Sequence, residues 1–254
     1  MNFRFSTNGN VVTPDLRTLI EASSYSEALF DRIPDVVFFI KDREARYVMV
    51  NRTLVDRCGR RSKEDLLGKT TRSVFPPPLG DRFFEQDDRV LQSGIAISQN
   101  LEMHLYPTRL EGWCLTDKIP IPGSDGRVVG LAGISRDLQS PGRETDHLAE
   151  VAAALEHVRS GFGSDLRVQD LAEVSGLSVY QLNRRLRAIF GITASQFITK
   201  QRIDVASEML RRSLVPIADI AVTCGYFDQS AFSRVFRRTV GLTPRQYRTR
   251  HQFR

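Results

Sequence analysis

The chain has 254 residues, which is enough for two ordinary domains with separate cores. Apolar residues make up 41% and charged residues 26%, the balance of a soluble globular protein. No apolar run approaches the roughly 18 residues of a membrane-spanning helix, and residues 1–10 lack the apolar segment of a secretory signal. The three cysteines, Cys58, Cys114 and Cys224, lie far apart, which predicts neither a disulfide framework nor a zinc site and favours a reducing cytoplasm.

The first half of the chain is predicted to be a mixed α/β unit. Strand formers separated by turn residues predict five strands, with one longer helix between the second and the third. These elements are Val36–Ile40, Tyr47–Val50, the helix Gly80–Gln92, Leu101–Tyr106, Trp113–Ile121 and Val128–Ile134. Apolar Leu101 and Met103 alternate with Glu102 and His104, which predicts one buried and one exposed face for the third strand.

This half contains a series of short motifs: Ile33-Pro34-Asp35, Asn51, Leu67-Gly68-Lys69-Thr70, Asp125-Gly126 and Gly130-Leu131 with Gly133-Ile134-Ser135-Arg136-Asp137. Taken in order, they resemble the motifs of PAS sensor domains over about 110 residues. The resemblance implies an antiparallel five-stranded sheet with helices, a small molecule held between the two, and pairing of domains through the sheet or flanking helices.

The ligand is not defined by these residues. The cysteine motif of flavin photosensors is absent around Cys58, and His104 is the one histidine that could serve as a haem ligand. A lone histidine on an amphipathic strand is usually structural, so no cofactor and no metal are expected. Two interpretations stay open: a domain that senses a small molecule, with or without dimerisation, and a domain that only dimerises.

The net charge of +6 comes entirely from the second half. Residues 1–142 contain 19 basic and 19 acidic side chains, whereas residues 143–254 contain 17 and 11. From Arg184 onward the count is 14 to 4, and all but one of the 14 are arginine. Arginine forms bidentate contacts with phosphate and with guanine, so this segment is expected to bind a polyanion.

The second half contains an internal repeat with an offset of 50 residues. Gly191-Ile192-Thr193 returns as Gly241-Leu242-Thr243, and Arg184 and Arg187 return as Arg234 and Arg237. Each copy predicts a short helix, a turn containing glycine and a second helix with a polar, arginine-bearing face. The predicted helices are Val168–Val174 and Ser178–Phe190 in the first copy, then Pro216 onward and Asp228 onward in the second, with a joining helix at Ala194–Arg212. Ser178 and Asp228 are predicted to cap the second helix of each copy, and the buried positions of those helices include Leu182, Leu186, Phe232 and Phe236.

Ahead of the first copy, His147–Val158 is predicted to be a helix with Leu148, Val151, Ala152 and Leu155 on one side.

This arrangement is a helix-turn-helix. It contains Ile217-Ala218-Asp219-Ile220-Ala221, Gly225-Tyr226, Phe232, Arg234, Phe236, Gly241, Thr243-Pro244 and Tyr247-Arg248. Through these residues the segment from Val158 to Arg248 resembles the AraC/XylS family of transcription regulators. The resemblance implies seven helices and two recognition helices that enter successive major grooves of duplex DNA. The DNA-contacting candidates it gives are Tyr180, Asn183, Arg184, Arg187, Gln229, Ser230, Ser233, Arg234 and Arg237. RNA polymerase is an implied further partner.

The sequence therefore predicts a cytoplasmic, homodimeric transcription regulator with two domains. Its divisions are an N-terminal extension (1–24), an α/β PAS-like domain (25–138), a linker (139–146) and an all-α domain with two helix-turn-helix units (147–254). An enzyme is not expected, because the chain lacks a catalytic motif such as HExxH, GxSxG or a glycine-rich phosphate loop. An RNA binder would carry exposed aromatic residues on strands, whereas these aromatic residues occupy helix-core positions.

Overall fold

The computed structural model of the chain describes residues 24–105, 111–138 and 145–252. Most of the predicted N-terminal extension and of the predicted linker, as well as Tyr106, lie outside these residues. We describe the chain in two parts, a first, N-terminal unit (residues 24–105 and 111–138) and a second, C-terminal unit (residues 145–252). Among the residues described, no helix is both long and apolar enough to cross a membrane.

The first unit is a five-stranded sheet with helices, as predicted. Its helices are α1 (Ser24–Phe30), α2 (Arg52–Arg57), α3 (Thr71–Val74) and α4 (Leu79–Ser93). Its strands are β1 (Val36–Asp42), β2 (Tyr47–Val50), β3 (Ile97–Leu105), β4 (Glu111–Pro122) and β5 (Val128–Asp137). The strands lie in the order β2-β1-β5-β4-β3, and β1 pairs antiparallel with both β2 and β5.

Asn51 is a buried polar residue that ties three elements of this unit together. Its side-chain oxygen accepts from the Phe38 amide in β1 at 3.0 Å and from the Leu54 amide in α2 at 3.3 Å. Its amide nitrogen donates to the carbonyl oxygens of Phe30, at the end of α1, and Val36. A fully buried amide needs partners for all these atoms, which explains why a PAS-like motif places asparagine here.

A second polar feature of this unit is a buried cluster of charges between the sheet and α4. Lys41 in β1 and Lys118 in β4 each donate to one oxygen of Asp87 in α4, and Lys118 also donates to Gln86 at 3.0 Å. All three charged side chains are at most 4% exposed. This cluster was not predicted from the sequence, because Lys41 lies just beyond the predicted strand Val36–Ile40, and Asp87 and Lys118 are 31 residues apart.

In this cluster, burial and the neighbouring opposite charges shift the pKa values of Lys41 and Asp87 in opposite directions. Burial lowers the pKa of Lys41 from 10.5 to about 8, against the opposing attraction of Asp87. Burial would raise the pKa of Asp87, but the ammonium groups of Lys118 and Lys41 outweigh it and hold that pKa below its ordinary value. Asp87 is therefore an ionised carboxylate that compensates two buried ammonium groups.

The prediction that one face of β3 is exposed is wrong at Glu102. This side chain is only 1% exposed, and Met103 on the opposite face is also buried. Alternating polar and apolar residues predict a half-buried strand only when the polar side faces water. Here Glu102 instead lies beside His104 and Cys114, with its carboxylate 3.3 Å from the imidazole of His104.

The second unit is entirely helical in its described part and contains the seven helices expected. They are α5 (Thr145–Gly161), α6 (Val168–Val174), α7 (Val179–Phe190), α8 (Ala194–Arg212), α9 (Ile217–Thr223), α10 (Gln229–Val240) and α11 (Pro244–Gln252). The predicted bounds of α6 and α8 agree with the structure.

The buried stripe of α5 differs from the one predicted. Val151, Ala154 and Val158 are buried against the core of the first helix-turn-helix, whereas Ala152 is exposed. Alanine suits either side of a helix, so its apolar character alone did not fix the phase of the stripe.

Helix α8 joins the two helix-turn-helix units through Arg202. The Arg202 guanidinium donates to the carbonyl oxygens of Phe162 and Ser164, which precede the first helix-turn-helix. It also lies 5.6 Å from the ring of Tyr226 in the second helix-turn-helix. Gly225 makes this approach possible. It has a φ of +77°, and a Cβ there would lie 2.5 Å from the Phe162 carbonyl oxygen.

Candidate nucleic-acid interface

The two helices expected to touch DNA, α7 and α10, begin at well-formed caps. Ser178 accepts from the Gln181 amide at 3.2 Å, and Gln181 returns the bond by accepting from the Ser178 amide at 2.9 Å. Asp228 accepts from the Ala231 amide at 2.7 Å. These bonds satisfy amide groups that have no partner inside the helix, so each helix has a fixed starting point after its turn.

Both helices pack against the rest of the helical domain through an apolar face. In α7, Leu182 and Leu186 are at most 1% exposed. In α10, Phe232 and Phe236 are fully buried within a chain of aromatic contacts that runs from Tyr226 to Tyr247 and His251. Burial at positions four apart fixes which side of each helix faces outward.

The outward face has the same pattern in both helices. Tyr180, Arg184 and Arg187 are exposed and follow one another at spacings of four and three residues. Ser230, Arg234 and Arg237 repeat that arrangement exactly 50 residues later and are also exposed. Side chains at these spacings lie along one face of a helix, so each helix presents one polar residue followed by two arginines.

No ion pair among the described residues neutralises the arginines that these two faces share. Helices α7 and α10 each contain three arginines and no acidic residue. Within the described ranges, Arg184, Arg187, Arg234 and Arg237 have no ion-pair partner, whereas Arg52, Arg72, Arg159 and Arg212 lie in ion pairs. Four unpaired guanidinium groups on two exposed faces are suited to phosphates and to guanine edges.

The remaining candidate residues lie in three different environments. Gln229 is exposed at the first position of α10, and Ser233 is half-buried on the same helix. Asn183 is half-buried, and its amide is used inside the fold: the oxygen accepts from the Ala194 amide at 2.9 Å and the nitrogen donates to the Val179 carbonyl at 3.0 Å. Asn183 therefore links α7 to the first residue of α8.

The repeat explains why Asn183 has no counterpart in the second copy. The position 50 residues later is Ser233, and the residue matching Ala194 is Pro244. Proline has no amide hydrogen, so position 244 has no backbone donor that needs an acceptor. The asparagine is required only where the following helix begins with alanine.

Replacing Asn183 by alanine is expected to lower stability rather than sequence preference. The change leaves the Ala194 amide without its acceptor, at a cost of about 1–3 kcal/mol. The measurement is urea unfolding followed by circular dichroism, together with DNA titrations on specific and scrambled duplexes. A fully stable variant that relaxes the preference at a single base pair would contradict this structural role and support base reading.

One exposed side chain near this surface was not singled out by the sequence. Phe227 is 95% exposed, directly before the cap of α10. Its counterpart in the repeat is Leu177, which packs against the core of the first helix-turn-helix. An apolar residue in a repeated core position is ordinarily interpreted as buried, so only the structure reveals this difference.

Comparison with known proteins found matches for both halves of the chain. A family model described as a helix-turn-helix domain matches residues 171–250, and one described as a PAS fold matches residues 30–142. Regulatory protein SoxS of Salmonella typhimurium is 35% identical over 104 residues, covering 41% of this chain and 97% of SoxS. Regulatory protein PocR of the same organism is 34% identical over 104 residues, covering 41% of this chain and 34% of PocR.

The chain is also similar to part of a solved structure. The C-terminal domain of AraT, a response regulator from Geobacillus stearothermophilus, is 30% identical, with a TM-score of 0.41. The match covers 44% of this chain and 92% of that domain. The chain thus spans almost all of SoxS and about a third of PocR.

Proposed function

The chain belongs to the AraC family of DNA-binding transcription regulators and has an N-terminal PAS domain, and from this we propose that α7 and α10 read two successive major grooves of one DNA site. The observation that carries the proposal is the repeated outward face, with four exposed arginines that have no ion-pair partner in the described part of the chain. The major groove admits an α-helix, and two such faces suit half-sites about one helical turn apart.

The candidate residues divide into two roles under this proposal. Tyr180, Arg184, Gln229, Ser230 and Arg234 lie in the first half of their helices, where a recognition helix meets base edges. Arg187 and Arg237 lie in the last turn, so we assign them to phosphates. Ser233, being half-buried, is a secondary candidate, and Asn183 is assigned to positioning α7 against α8.

Two arginine variants test these roles. Arg184→Ala is expected to weaken binding at the specific site by about 1–3 kcal/mol and to relax preference at one base pair, because a bidentate contact with guanine is lost. Arg237→Ala is expected to weaken specific and scrambled duplexes about equally, and to lower the slope of affinity against salt by about one. Both are measured by fluorescence anisotropy with duplex DNA at several salt concentrations.

Arg127→Ala is the matched control. Arg127 is an exposed arginine in the turn between β4 and β5, paired with Asp125, and it is not part of either recognition helix. Its loss should change neither affinity nor salt slope. Equal weakening of both duplexes by Arg184→Ala would remove the base-reading role of that residue and make Tyr180 the better candidate.

The domain organisation and the sensing role are parts of the same proposal. We assign residues 25–138 to a PAS domain that senses a small molecule, dimerises or does both, residues 139–146 to a linker, and residues 147–254 to DNA binding. The separate charge balance of the two halves supports this division. A PAS domain without ligand that acts only in dimerisation is the alternative.

The cellular setting follows from the regulatory role. We propose that the chain acts as a homodimer in the cytoplasm, where its DNA lies, and that it influences transcription through RNA polymerase. Its relatives are regulatory proteins, which supports a role without enzymatic activity. The free, buried cysteines fit a reducing compartment.

A further inference from the structure

Three potential metal ligands meet on neighbouring strands of the N-terminal sheet. Glu102 and His104 belong to β3 and Cys114 to β4, and their ligand atoms all lie within 4.8 Å of one another. The Glu102 carboxylate lies 3.3 Å from Nε2 of His104, and the Cys114 thiol lies 3.7 Å from the Glu102 carbonyl oxygen. Glu102 and Cys114 are buried, whereas the His104 side chain is 13% exposed.

We propose that Glu102, His104 and Cys114 together bind one divalent transition-metal ion of the zinc class. Carboxylate, imidazole and thiolate are the three side-chain groups that Zn²⁺ prefers in proteins. Metal–ligand bonds of about 2.0–2.3 Å place neighbouring ligand atoms of a tetrahedral site on the order of 3.5 Å apart. The Glu102–His104 distance of 3.3 Å is close to this value, and because all three ligand atoms lie within 4.8 Å of one another, the thiol needs to move by about 1.3 Å at most.

The three side chains can balance the charge of a divalent ion. A buried carboxylate is costly to keep in a protein interior unless a cation or strong donors compensate it. When the Cys114 thiol gives its proton to solvent and binds as thiolate, the two anionic ligands neutralise a divalent cation. The imidazole binds as a neutral group, so the complete site carries no net charge.

The arrangement of the ligands also determines what kind of site this is. All three lie on paired strands, which hold ligands more firmly than loops do. Structural zinc sites use four protein ligands, whereas three protein ligands leave one position open for water or a small molecule. The partly exposed His104 lies on the side from which an ion can enter. A site of this kind suits a sensor domain that detects the metal itself or a small ligand of it.

The sequence analysis expected no zinc site because the cysteines are far apart and no two of them form a pair. The three ligands are separated by one and by nine intervening residues, a spacing that no common zinc motif has. Pairing of β3 with β4 brings them together. The inference goes beyond the proposed DNA-binding function and does not depend on it.

Cobalt titration of the full-length, metal-free chain tests the site. Co²⁺ substitutes for Zn²⁺ and gives a sulfur-to-cobalt charge-transfer band when a thiolate is bound. We expect this band to saturate at a single Co²⁺ per chain and to disappear on addition of Zn²⁺, with a rise in melting temperature on binding. Cys114→Ser should abolish the band. His104→Gln and Glu102→Gln should each lower the affinity by more than about tenfold.

The other two cysteines provide matched controls. Cys58 and Cys224 are buried free thiols, and burial raises the pKa of Cys58 to about 12 and that of Cys224 to about 11. Cys58→Ser and Cys224→Ser should leave the band unchanged. Circular dichroism without metal establishes that each variant folds, and the partly exposed His104→Gln is the change least disruptive to the core.

Three outcomes would overturn the proposal. They are the absence of a charge-transfer band in the wild type, a band that persists in Cys114→Ser, and wild-type affinity in a folded His104→Gln variant. The titration contains no DNA, so a failure here leaves the proposed reading of DNA by α7 and α10 untouched, and a failure of the Arg184 experiment leaves the metal site untouched.

Discussion

Replacing Asp87 by asparagine is expected to destabilise the N-terminal unit by about 3–5 kcal/mol, the cost of breaking a buried ion pair from one side. The change keeps the shape of the side chain but removes the only carboxylate that both Lys41 and Lys118 contact in the described structure. Since a domain has about 5–15 kcal/mol of stability in total, this loss brings the unit close to unfolding. Urea unfolding followed by circular dichroism measures it.

The loss of stability caused by Asp87→Asn should depend on pH in a defined direction. In the wild type, burial lowers the pKa of Lys41 to about 8, below its unfolded value of 10.5, so stability rises with pH between these values. Without the Asp87 charge, the pKa of Lys41 falls further, and the rise begins at lower pH. The difference between variant and wild type is therefore expected to shrink as the pH rises towards about 8.

Asp88→Asn is the control for this experiment. Asp88 is the next residue of α4, but it is exposed and its carboxylate accepts only from Gln92 among the described contacts. A surface change of this kind should alter stability by less than about 0.5 kcal/mol. If Asp87→Asn were no more costly than Asp88→Asn, the cluster would not be held by the charge of Asp87.

Replacing Phe236 by alanine is expected to cost about 3–5 kcal/mol and to remove DNA binding by the second helix-turn-helix. Phe236 is fully buried, and its ring lies 5.4 Å from those of Phe232 and Tyr247. Losing the ring leaves a cavity beneath α10, so the helix that carries Arg234 and Arg237 loses the packing that positions it. Thermal unfolding by circular dichroism and anisotropy with duplex DNA measure the two effects.

Phe227→Ala is the matched control, since it removes the same side chain from a position that is 95% exposed. Its stability should stay within about 0.5 kcal/mol of the wild type. Similar losses of stability in the two variants would show that Phe236 does not form the core of the second helix-turn-helix. A stable Phe227→Ala variant with weakened DNA binding would instead add Phe227 to the interface.

Local signals account for the parts of the fold that were predicted correctly. Ser178 and Asp228 were expected as caps because short polar side chains can satisfy the first amides of a helix, and both do so. The repeated apolar positions Leu182, Leu186, Phe232 and Phe236 fixed the buried faces, so the outward arginines followed. These features depend only on spacing along one helix, which the sequence contains.

Features that join distant segments were not predicted. Asp87 and Lys118 are 31 residues apart, and neither reads as buried from its neighbours. Glu102 was expected on an exposed face, and Asn183 was expected to face DNA, although its amide bonds to Ala194 across a turn. In each case a polar side chain finds its partner on another element, and no local pattern indicates that partner.

By itself, therefore, the sequence determined the helices, strands and caps, the repeated helix-turn-helix and the arginine-bearing faces, because these follow from periodicity and from charge. Only the tertiary structure decided where buried polar groups are satisfied, because strand pairing and helix packing bring together residues with no fixed spacing in the chain. The Lys41–Asp87–Lys118 cluster and the meeting of Glu102, His104 and Cys114 depend on that packing. A buried charge is stable only beside its partner, and the fold alone supplies the partner.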